Sequence, residues 1–391
     1  MKKFLLLAII AMCAHIAYAD FNSDGYYRVR NAYTLRYAYL LDDKGSYDYG
    51  STSADVRALK LFTDPQRVLH DPASVFYLQK APSSKNKMNI AGQGTSVYDF
   101  LGEYLNFMEE SKPYNGNNTY LIYGSKSGVV KYLGDTWSTA SDNDGLASVD
   151  AKGDCRKWLF LPLEGDTEEF FGVLPTVSSG NKYYQPYFAG FPFSAKSEGL
   201  KFYVVTNIDH RGVAVYEEVA GTVPAGMPVI VECSSASVNE NKLNIGGTGT
   251  SVAGNLLKGV YFDNDSRSHF NRTPFDRESM RVLGVKDGKL AFVEGEYDYI
   301  PRNQAYLQLT DASQYGTKDF VLMTPDEYEV FVKENEETGV TEVISESTVV
   351  NVYGLDGRLL KAGIAKNSVS SLGKGLYILR SGEKSEKVTV R

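Results

Sequence analysis

Two aspartates in the first third of the sequence lie among aromatic residues in a pattern typical of sugar-binding sites. Asp135 is two residues from Trp137, and Asp42 has three tyrosines within five positions on either side. In such sites an aromatic ring covers the C–H face of a pyranose, while a carboxylate accepts hydrogen bonds from its hydroxyl groups. The pattern predicts glycan contacts at Asp42, Asp135 and Trp137.

The same residues also fit a purely structural role. Tyr39, Tyr132 and Trp158 would then be core side chains, and the two aspartates would cap turns. The sequence alone leaves both interpretations open.

Signatures of catalysis are weak by comparison. No Gly-x-Ser-x-Gly element is present, and His70, His210 and His269 belong to no His-x-x-x-His pair that would hold zinc. Adjacent carboxylates such as Asp42-Asp43 alternate faces on a strand, whereas a glycosidase needs two that converge across a cleft. We therefore predict a protein that binds rather than catalyses, without a metal or cofactor, and place a glycoside hydrolase third among the alternatives.

A nearly duplicated glycine-rich segment is the remaining candidate for chemistry. Residues 89–97 and 244–252 share seven of nine positions. Such a loop can present backbone N–H groups to an anion, but neither copy has the lysine and helix start of a phosphate loop. We interpret each copy as a strand followed by a glycine turn and a second strand.

The amino terminus carries an export signal. Lys2 and Lys3 precede an apolar run at 4–14, and small residues at 17–19 fit a signal-peptidase site, which predicts a signal peptide at 1–19. Its removal takes the formal net charge from −7 to −9, because two lysines leave. An acidic chain repels phosphate backbones and anionic lipid, so we expect no nucleic-acid partner, and no other run is long enough to span a membrane.

The aromatic residues fall in short alternating runs separated by Gly, Asn, Asp and Ser. The chain has 28 Tyr, 19 Phe and 36 Gly, and segments such as 26–30 and 201–205 alternate with period two. This pattern predicts an all-β fold. We expect β domains at 20–165 and 166–325, an acidic linker at 326–346 that is too polar to order itself, and a small antiparallel β module at 347–391.

The first domain resembles a ricin-type β-trefoil. It opens with Gly-Tyr-Tyr-Arg-Val-Arg-Asn at 25–31, and a strand, an Asp turn and an aromatic closing strand recur along it, although the family's Gln-x-Trp element is replaced by Arg156-Lys157-Trp158. The resemblance implies that this N-terminal domain is a β-trefoil-like barrel with three lobes. It also implies sugar-binding aspartates at the best-matched positions, Asp42 and Asp135. The second domain, which we expect to be sandwich-like, is similar to a β segment of large surface proteins of Gram-negative bacteria, which has no chemistry to transfer.

The C-terminal module resembles the sorting domain of the type IX secretion pathway. The matching features are the hairpin at 352–358, the strand start at 375–377 and a closing basic strand with Lys384 and Lys387. The resemblance implies export to the cell surface or beyond and contact with the export machinery. Glycans or host and microbial surface proteins are the expected ligands, and an adhesive protein that binds protein partners is the closest alternative. We expect Cys155 and Cys233 to be independent thiols, although export permits a disulfide.

Overall fold

The computed structural model describes residues 24–40, 46–48, 53–55, 59–62, 64–80, 88–94, 107–126, 128–136, 145–146, 151–164, 169–263, 272–310, 315–316, 318–337, 348–355, 357–382 and 384–390. The predicted signal peptide at 1–19 and the predicted sugar contacts Asp42 and Trp137 lie outside these residues.

The fold class is all-β, as the aromatic alternation predicts. Curled antiparallel sheets form half-barrels. The chain divides into two compact units, Met1–Leu322 and Met323–Arg391.

The first half of the larger unit contains short strands, most of them joined by turns. They are β1 (Gly25–Asn31), β2 (Ala38–Leu40), β3 (Ser46–Asp48), β4 (Ser53–Asp55), β5 (Leu59–Leu61), β6 (Phe76–Lys80), β7 (Met88–Ala91), β8 (Phe107–Tyr114), β9 (Asn117–Lys126), β10 (Val129–Tyr132), β11 (Gly145–Leu146) and β12 (Lys157–Pro162).

A seven-stranded sheet in the order β10-β9-β12-β1-β6-β7, with β8 paired to β9, organises this half. The central residues of strand β12 are all apolar because both faces of the strand are buried. Trp158 and Phe160 point into the main core of the half, while Leu159 and Leu161 join a smaller cluster on the opposite face. Both faces of the strand are buried because side chains alternate along it.

The second half of the larger unit is also built of strands with the same alternation. They are β13 (Phe171–Gly172), β14 (Val177–Ser179), β15 (Lys182–Tyr187), β16 (Phe193–Ala195), β17 (Lys201–Asp209), β18 (Val213–Glu218), β19 (Val229–Cys233), β20 (Lys242–Ile245), β21 (Leu257–Val260), β22 (Thr273–Pro274), β23 (Met280–Lys286), β24 (Lys289–Val293), β25 (Tyr299–Ile300), β26 (Gln304–Gln308) and β27 (Phe320–Met323).

A ten-stranded sheet in the order β14-β15-β19-β17-β18-β27-β24-β23-β26-β21 runs through this half. In β17, Phe202 and Val204 belong to one core cluster, whereas Tyr203 and Val205 belong to another. The sheet therefore separates two cores, which is why its strands carry apolar residues at both odd and even positions.

A shared core joins the two halves of the larger unit. Val75 and Leu163, from the first predicted domain, pack in the same cluster as Phe171, Phe193 and Val229. The predicted boundary at residue 165 is thus crossed by packed apolar side chains, and residues on both sides of it belong to one compact unit.

The segment predicted as an acidic linker instead begins with a helix, α1 (Pro325–Glu337). Thr324 and Glu327 form a reciprocal capping box, in which the Glu327 amide donates to Thr324 Oγ1 (3.3 Å) and the Thr324 amide donates to Glu327 Oε2 (2.8 Å). Pro325 occupies the first helical turn, where its missing N–H costs nothing. These local signals favour the start of a helix, although the polar composition of the segment favours a linker.

The smaller unit contains a four-stranded antiparallel sheet, in agreement with the predicted β module. Its strands are β28 (Val349–Tyr353), β29 (Leu359–Ala365), β30 (Gly375–Ser381) and β31 (Lys384–Val390), in the order β29-β28-β30-β31. Val350, Val352, Val369 and Leu379 form its small core.

Candidate functional site

Asp135, a predicted sugar contact, is fully buried and engaged by neighbouring side chains. Arg36 forms a two-pronged ion pair with it, through Nε to Oδ2 (2.8 Å) and Nη2 to Oδ1 (2.5 Å), and the Thr34 hydroxyl donates to Oδ2. A sugar hydroxyl would have to displace these donors. The geometry indicates that Asp135 holds Thr34 and Arg36 in the turn that follows β1. Its contact with a sugar stays a prediction.

The aromatic residues near the predicted aspartates occupy different environments. Trp158 is fully buried and donates from Nε1 to the Leu133 carbonyl (2.9 Å). Tyr39 is buried and stacks on Phe62 with ring centroids 4.2 Å apart, whereas Tyr132 is half-buried. Tyr39 and Trp158 are therefore core side chains, which is one of the two roles that the sequence left open for them.

A different part of the larger unit forms a mixed polar pocket, which we name the Asp71 pocket. Its volume is about 180 Å³. It combines three residues around the start of a short 3₁₀ helix in the first half with residues of the β13–β14 connection, β15 and the β25–β26 connection in the second. Its lining residues are His70, Asp71, Pro72, Leu174, Thr176, Gln185, Tyr187, Arg302 and Asn303.

Asp71 and Arg302 form the charged wall of the pocket. Asp71 caps the 3₁₀ helix Pro72–Ser74 by accepting from the Ala73 amide (3.1 Å), and its Oδ2 is ion-paired with Arg302 Nη2. Burial by itself would lower the pKa of Arg302, but the Asp71 carboxylate and the phenol oxygen of Tyr39 raise it overall. The Arg302 guanidinium also lies over the Tyr39 ring, with Cζ 4.9 Å from its centroid. The charges of this wall are therefore matched.

Two side chains at the floor of the pocket have polar atoms without a hydrogen-bond partner among the described residues. They are Tyr187 Oη and Gln185 Oε1, on side chains only 3% and 8% exposed. The two residues are two apart on β15 and so share a face. Burial raises the pKa of Tyr187 well above its ordinary value, and the Asp71 charge adds to this effect, so the phenol stays protonated. Buried polar groups normally find a partner, but both of these atoms lie behind the accessible surface of the pocket.

The rim of the pocket is more accessible than the floor. Leu174 is 40% exposed, and Thr176 is exposed beside it. His70 is half-buried, and burial lowers the pKa of its imidazole, with the Asp71 carboxylate acting in the opposite direction. The imidazole is therefore neutral at physiological pH and can both donate and accept hydrogen bonds.

Sequence reasoning named none of the pocket residues as a site. His70 was one of three isolated histidines, and Arg302 and Asn303 belong to a segment with no transferable chemistry. The available signal was local: Asp71 before Pro72 is a helix-start pattern, which predicts a capping aspartate but not its ion pair with a residue 231 positions away. Tyr187 and Gln185 carry no such signal, because strand alternation does not reveal which buried polar atoms remain unpaired.

Each glycine-rich copy forms a turn at the end of a strand, where the two halves of the larger unit contact each other. In the first, the turn after β7 places Gly94 (φ 73°) where a Cβ would lie 2.2 Å from the Tyr261 ring, so that only glycine fits. In the second, Gly246 follows β20, and a Cβ there would lie 2.7 Å from Glu164 Oε1. These turns serve close packing; residues 95–97 of the first copy lie outside the described part.

Both cysteines that follow the predicted signal peptide are free thiols. Cys233 is buried, and burial raises its pKa to about 12. In the part of the chain that the structure describes, no three His, Cys, Asp or Glu side chains converge as a metal site would require, and no helix has the length and apolarity needed to cross a bilayer.

Comparisons with known proteins return no match, whether the sequence is compared with family models and curated proteins or the fold with solved structures.

Proposed function

We propose that this protein is an exported, non-catalytic glycan-binding protein and that the Asp71 pocket is its sugar site. The observation that carries the proposal is the mixed lining of one cavity, in which the polar side chains of His70, Asp71 and Arg302 lie beside the apolar surface of Pro72 and Leu174. A polyhydroxylated ligand suits such a lining, because each of its hydroxyl groups both donates and accepts hydrogen bonds.

The composition of the pocket supports binding over hydrolysis. Glycosidases need two carboxylates that face each other across the scissile bond. Among the described lining residues Asp71 is the single carboxylate, and it is ion-paired with Arg302. Pro72 and Leu174 supply the apolar surface against which the C–H face of a sugar packs.

A glycan array probed with the chain from Asp20 onward tests this function. The whole chain is used because the two halves of the larger unit share a core. We expect binding to a set of glycans and its loss in His70→Ala and Thr176→Val, which alter two of the more accessible lining residues. Tyr297→Phe, a hydroxyl deletion at a residue 43% exposed, is the matched control and should bind like the parent. Silence across the array would contradict the function, and binding that survives both pocket substitutions would contradict the site.

Export is part of the same proposal. We expect residues 1–19 to be removed on translocation and residues 347–391 to contact the export machinery. Mass spectrometry of the exported form tests the removal of residues 1–19 and also shows whether the C-terminal module is cleaved, since it reports each terminus. An exported chain that still begins at Met1 would contradict the first point, and one that still ends at Arg391 would count against cleavage of the C-terminal module.

Adhesion to protein partners is the second candidate, favoured by the turn after β1. Tyr33 and Leu35 are each 54% exposed, and Leu35 adopts a left-handed backbone (φ 61°), which is unfavourable for a leucine. The Asn31 side chain holds the turn by accepting from the amides of Tyr33 (3.1 Å) and Thr34 (3.0 Å). This candidate predicts adhesion that survives glycosidase treatment of the target surface, is abolished by protease treatment, and is lost on Tyr33→Ser with Leu35→Asn.

A further inference from the structure

We propose that Tyr26, Tyr77 and Glu164 form a second binding site, which takes the ammonium group of a lysine side chain on a protein partner. We name it the Glu164 site. None of its three residues lines the Asp71 pocket. The inference rests on an accessible carboxylate without a counter-charge, on the backbone that flanks it, and on the pair of aromatic rings nearby.

The Glu164 carboxylate is accessible and has no cation beside it. Glu164 follows β12 and is exposed, so a ligand reaches it from solvent. No side chain in the part of the chain that the structure describes forms an ion pair with it. Burial by its surroundings nevertheless raises the pKa of Glu164, with the Tyr26 backbone acting in the opposite direction. A bound cation would supply the charge that the described protein does not provide.

Two glycines flank the carboxylate. A Cβ at Gly25 would lie 3.3 Å from Glu164 Oε2, and a Cβ at Gly246 would lie 2.7 Å from Oε1. Gly246 also has a left-handed backbone (φ 99°), which favours glycine. Each oxygen therefore has main chain on one side and no β-carbon against it. A slender alkylammonium chain suits this position, because it brings one small charged group on an unbranched stem.

Two tyrosines supply the aromatic surface of the site. Tyr26 on β1 and Tyr77 on β6 are direct cross-strand partners, with ring centroids 5.0 Å apart. Tyr26 is anchored by Phe191 of the core, at 6.4 Å between centroids, whereas Tyr77 is half-buried and lies outside that core cluster. Burial raises the pKa of both phenols, to about 12 for Tyr26, and the Glu164 charge adds to the effect on each. The carboxylate and the two rings thus lie in one neighbourhood.

These groups favour a lysine side chain over other cations. The methylene stem of a lysine packs on an aromatic ring, and its N–H groups donate to a carboxylate. A quaternary ammonium group has no N–H to donate and is bound instead within cages of aromatic rings. Arginine needs both carboxylate oxygens in one plane for its fork, but Gly25 and Gly246 flank one oxygen each. The formal net charge of −7 attracts basic protein surfaces at long range.

NMR titrations of the chain from Asp20 onward with Nα-acetyl-lysine N-methylamide test the inference. The matched probes are its Nε-acetylated form, the corresponding arginine amide and methyl glucosaminide. We expect the lysine amide to bind and its Nε-acetylated form, which has lost the charge, to bind about tenfold more weakly or less tightly still. Glu164→Gln should weaken binding of the lysine amide about tenfold, and Tyr77→Ala about threefold. Glu278→Gln, at an exposed carboxylate between β22 and β23, is the matched control and should bind like the parent.

The possible failures are separable. Equal binding of the two lysine probes, or binding of neither, would overturn the inference; this comparison uses the unchanged chain and does not depend on the folding of a variant. Binding that survives Glu164→Gln would overturn the site. Tighter binding of the arginine amide or of the glucosaminide would overturn the assignment to lysine. Glycan binding at the Asp71 pocket should be the same in Glu164→Gln and the parent, so each of these failures leaves that function standing.

Discussion

Gln93 and Asn303 exchange side-chain hydrogen bonds across the larger unit, although 210 residues separate them. Gln93 Nε2 donates to Asn303 Oδ1 and Asn303 Nδ2 donates to Gln93 Oε1, each over 2.9 Å. The two amides also donate to the carbonyls of Tyr261 and Phe188, over 3.0 Å each. Both residues have a left-handed backbone, with φ 50° and 57°. The pair holds the first glycine-rich turn against the β25–β26 connection that carries Arg302.

We expect the two amides to be energetically coupled. Gln93→Ala or Asn303→Ala should each lower the free energy of unfolding by about 2 kcal/mol, because each leaves a buried amide partner unpaired. The double variant should cost less than the sum, with a coupling energy of about 1 kcal/mol or more, measured by urea denaturation. Asn244→Ala, which removes an exposed amide, should change stability by less than about 0.5 kcal/mol. Additive single effects would contradict the coupling.

Removal of the Tyr187 hydroxyl should stabilise the unliganded protein. Tyr187→Phe deletes a buried polar atom that has no partner among the described residues and keeps the ring that packs on Phe193. We expect the free energy of unfolding to rise by about 1 kcal/mol, measured by denaturant titration without sugar. The exposed counterpart, Tyr297→Phe, should leave it unchanged. A loss of stability in Tyr187→Phe would mean that the hydroxyl is satisfied within the folded protein.

Asp135→Ala should destabilise the fold without acting on the sugar site. The substitution leaves Arg36, only 13% exposed, without its counter-charge, which should cost about 3 kcal/mol in thermal or chemical denaturation. Asp154→Ala is the matched control, because Asp154 is 49% exposed in its ion pair with Lys157 and should cost less than about 1 kcal/mol. Loss of glycan binding at unchanged stability would instead restore Asp135 as a sugar contact.

We expect His70 to lower the free energy of unfolding as the pH falls. Burial lowers its folded-state pKa below 6.5, the value expected in the unfolded chain, so the unfolded state binds more protons as the pH drops through this range. The contribution of His70 is therefore complete above about pH 6.5 and declines below it. Melting temperatures between pH 7.5 and 5.5 should show a smaller decrease for His70→Gln than for the parent. His210→Gln, at an imidazole 70% exposed, should behave like the parent, and an identical decrease in all three proteins would exclude His70 as a cause.

The strands were within reach of sequence reasoning for a simple reason. Period-two alternation is a property of the strand itself, and it predicts the all-β fold and strands such as β17 and β28 without knowledge of their partners. The start of helix α1 is marked by an equally local signal. Its Thr324-x-x-Glu327 capping box is visible in the sequence, and the linker interpretation gave composition more weight than this pattern.

The sequence by itself determined the fold class, the strands and the expectation of a binding protein, because these follow from residue types at short spacing. The tertiary structure decided which polar groups meet. It buried Asp135 against Arg36, brought Asp71 to Arg302 across 231 residues, and left Tyr187 Oη and Gln185 Oε1 without a hydrogen-bond partner among the described residues. Such outcomes depend on sheet register and on the packing of one half against the other, and long-range packing leaves no local pattern in the chain.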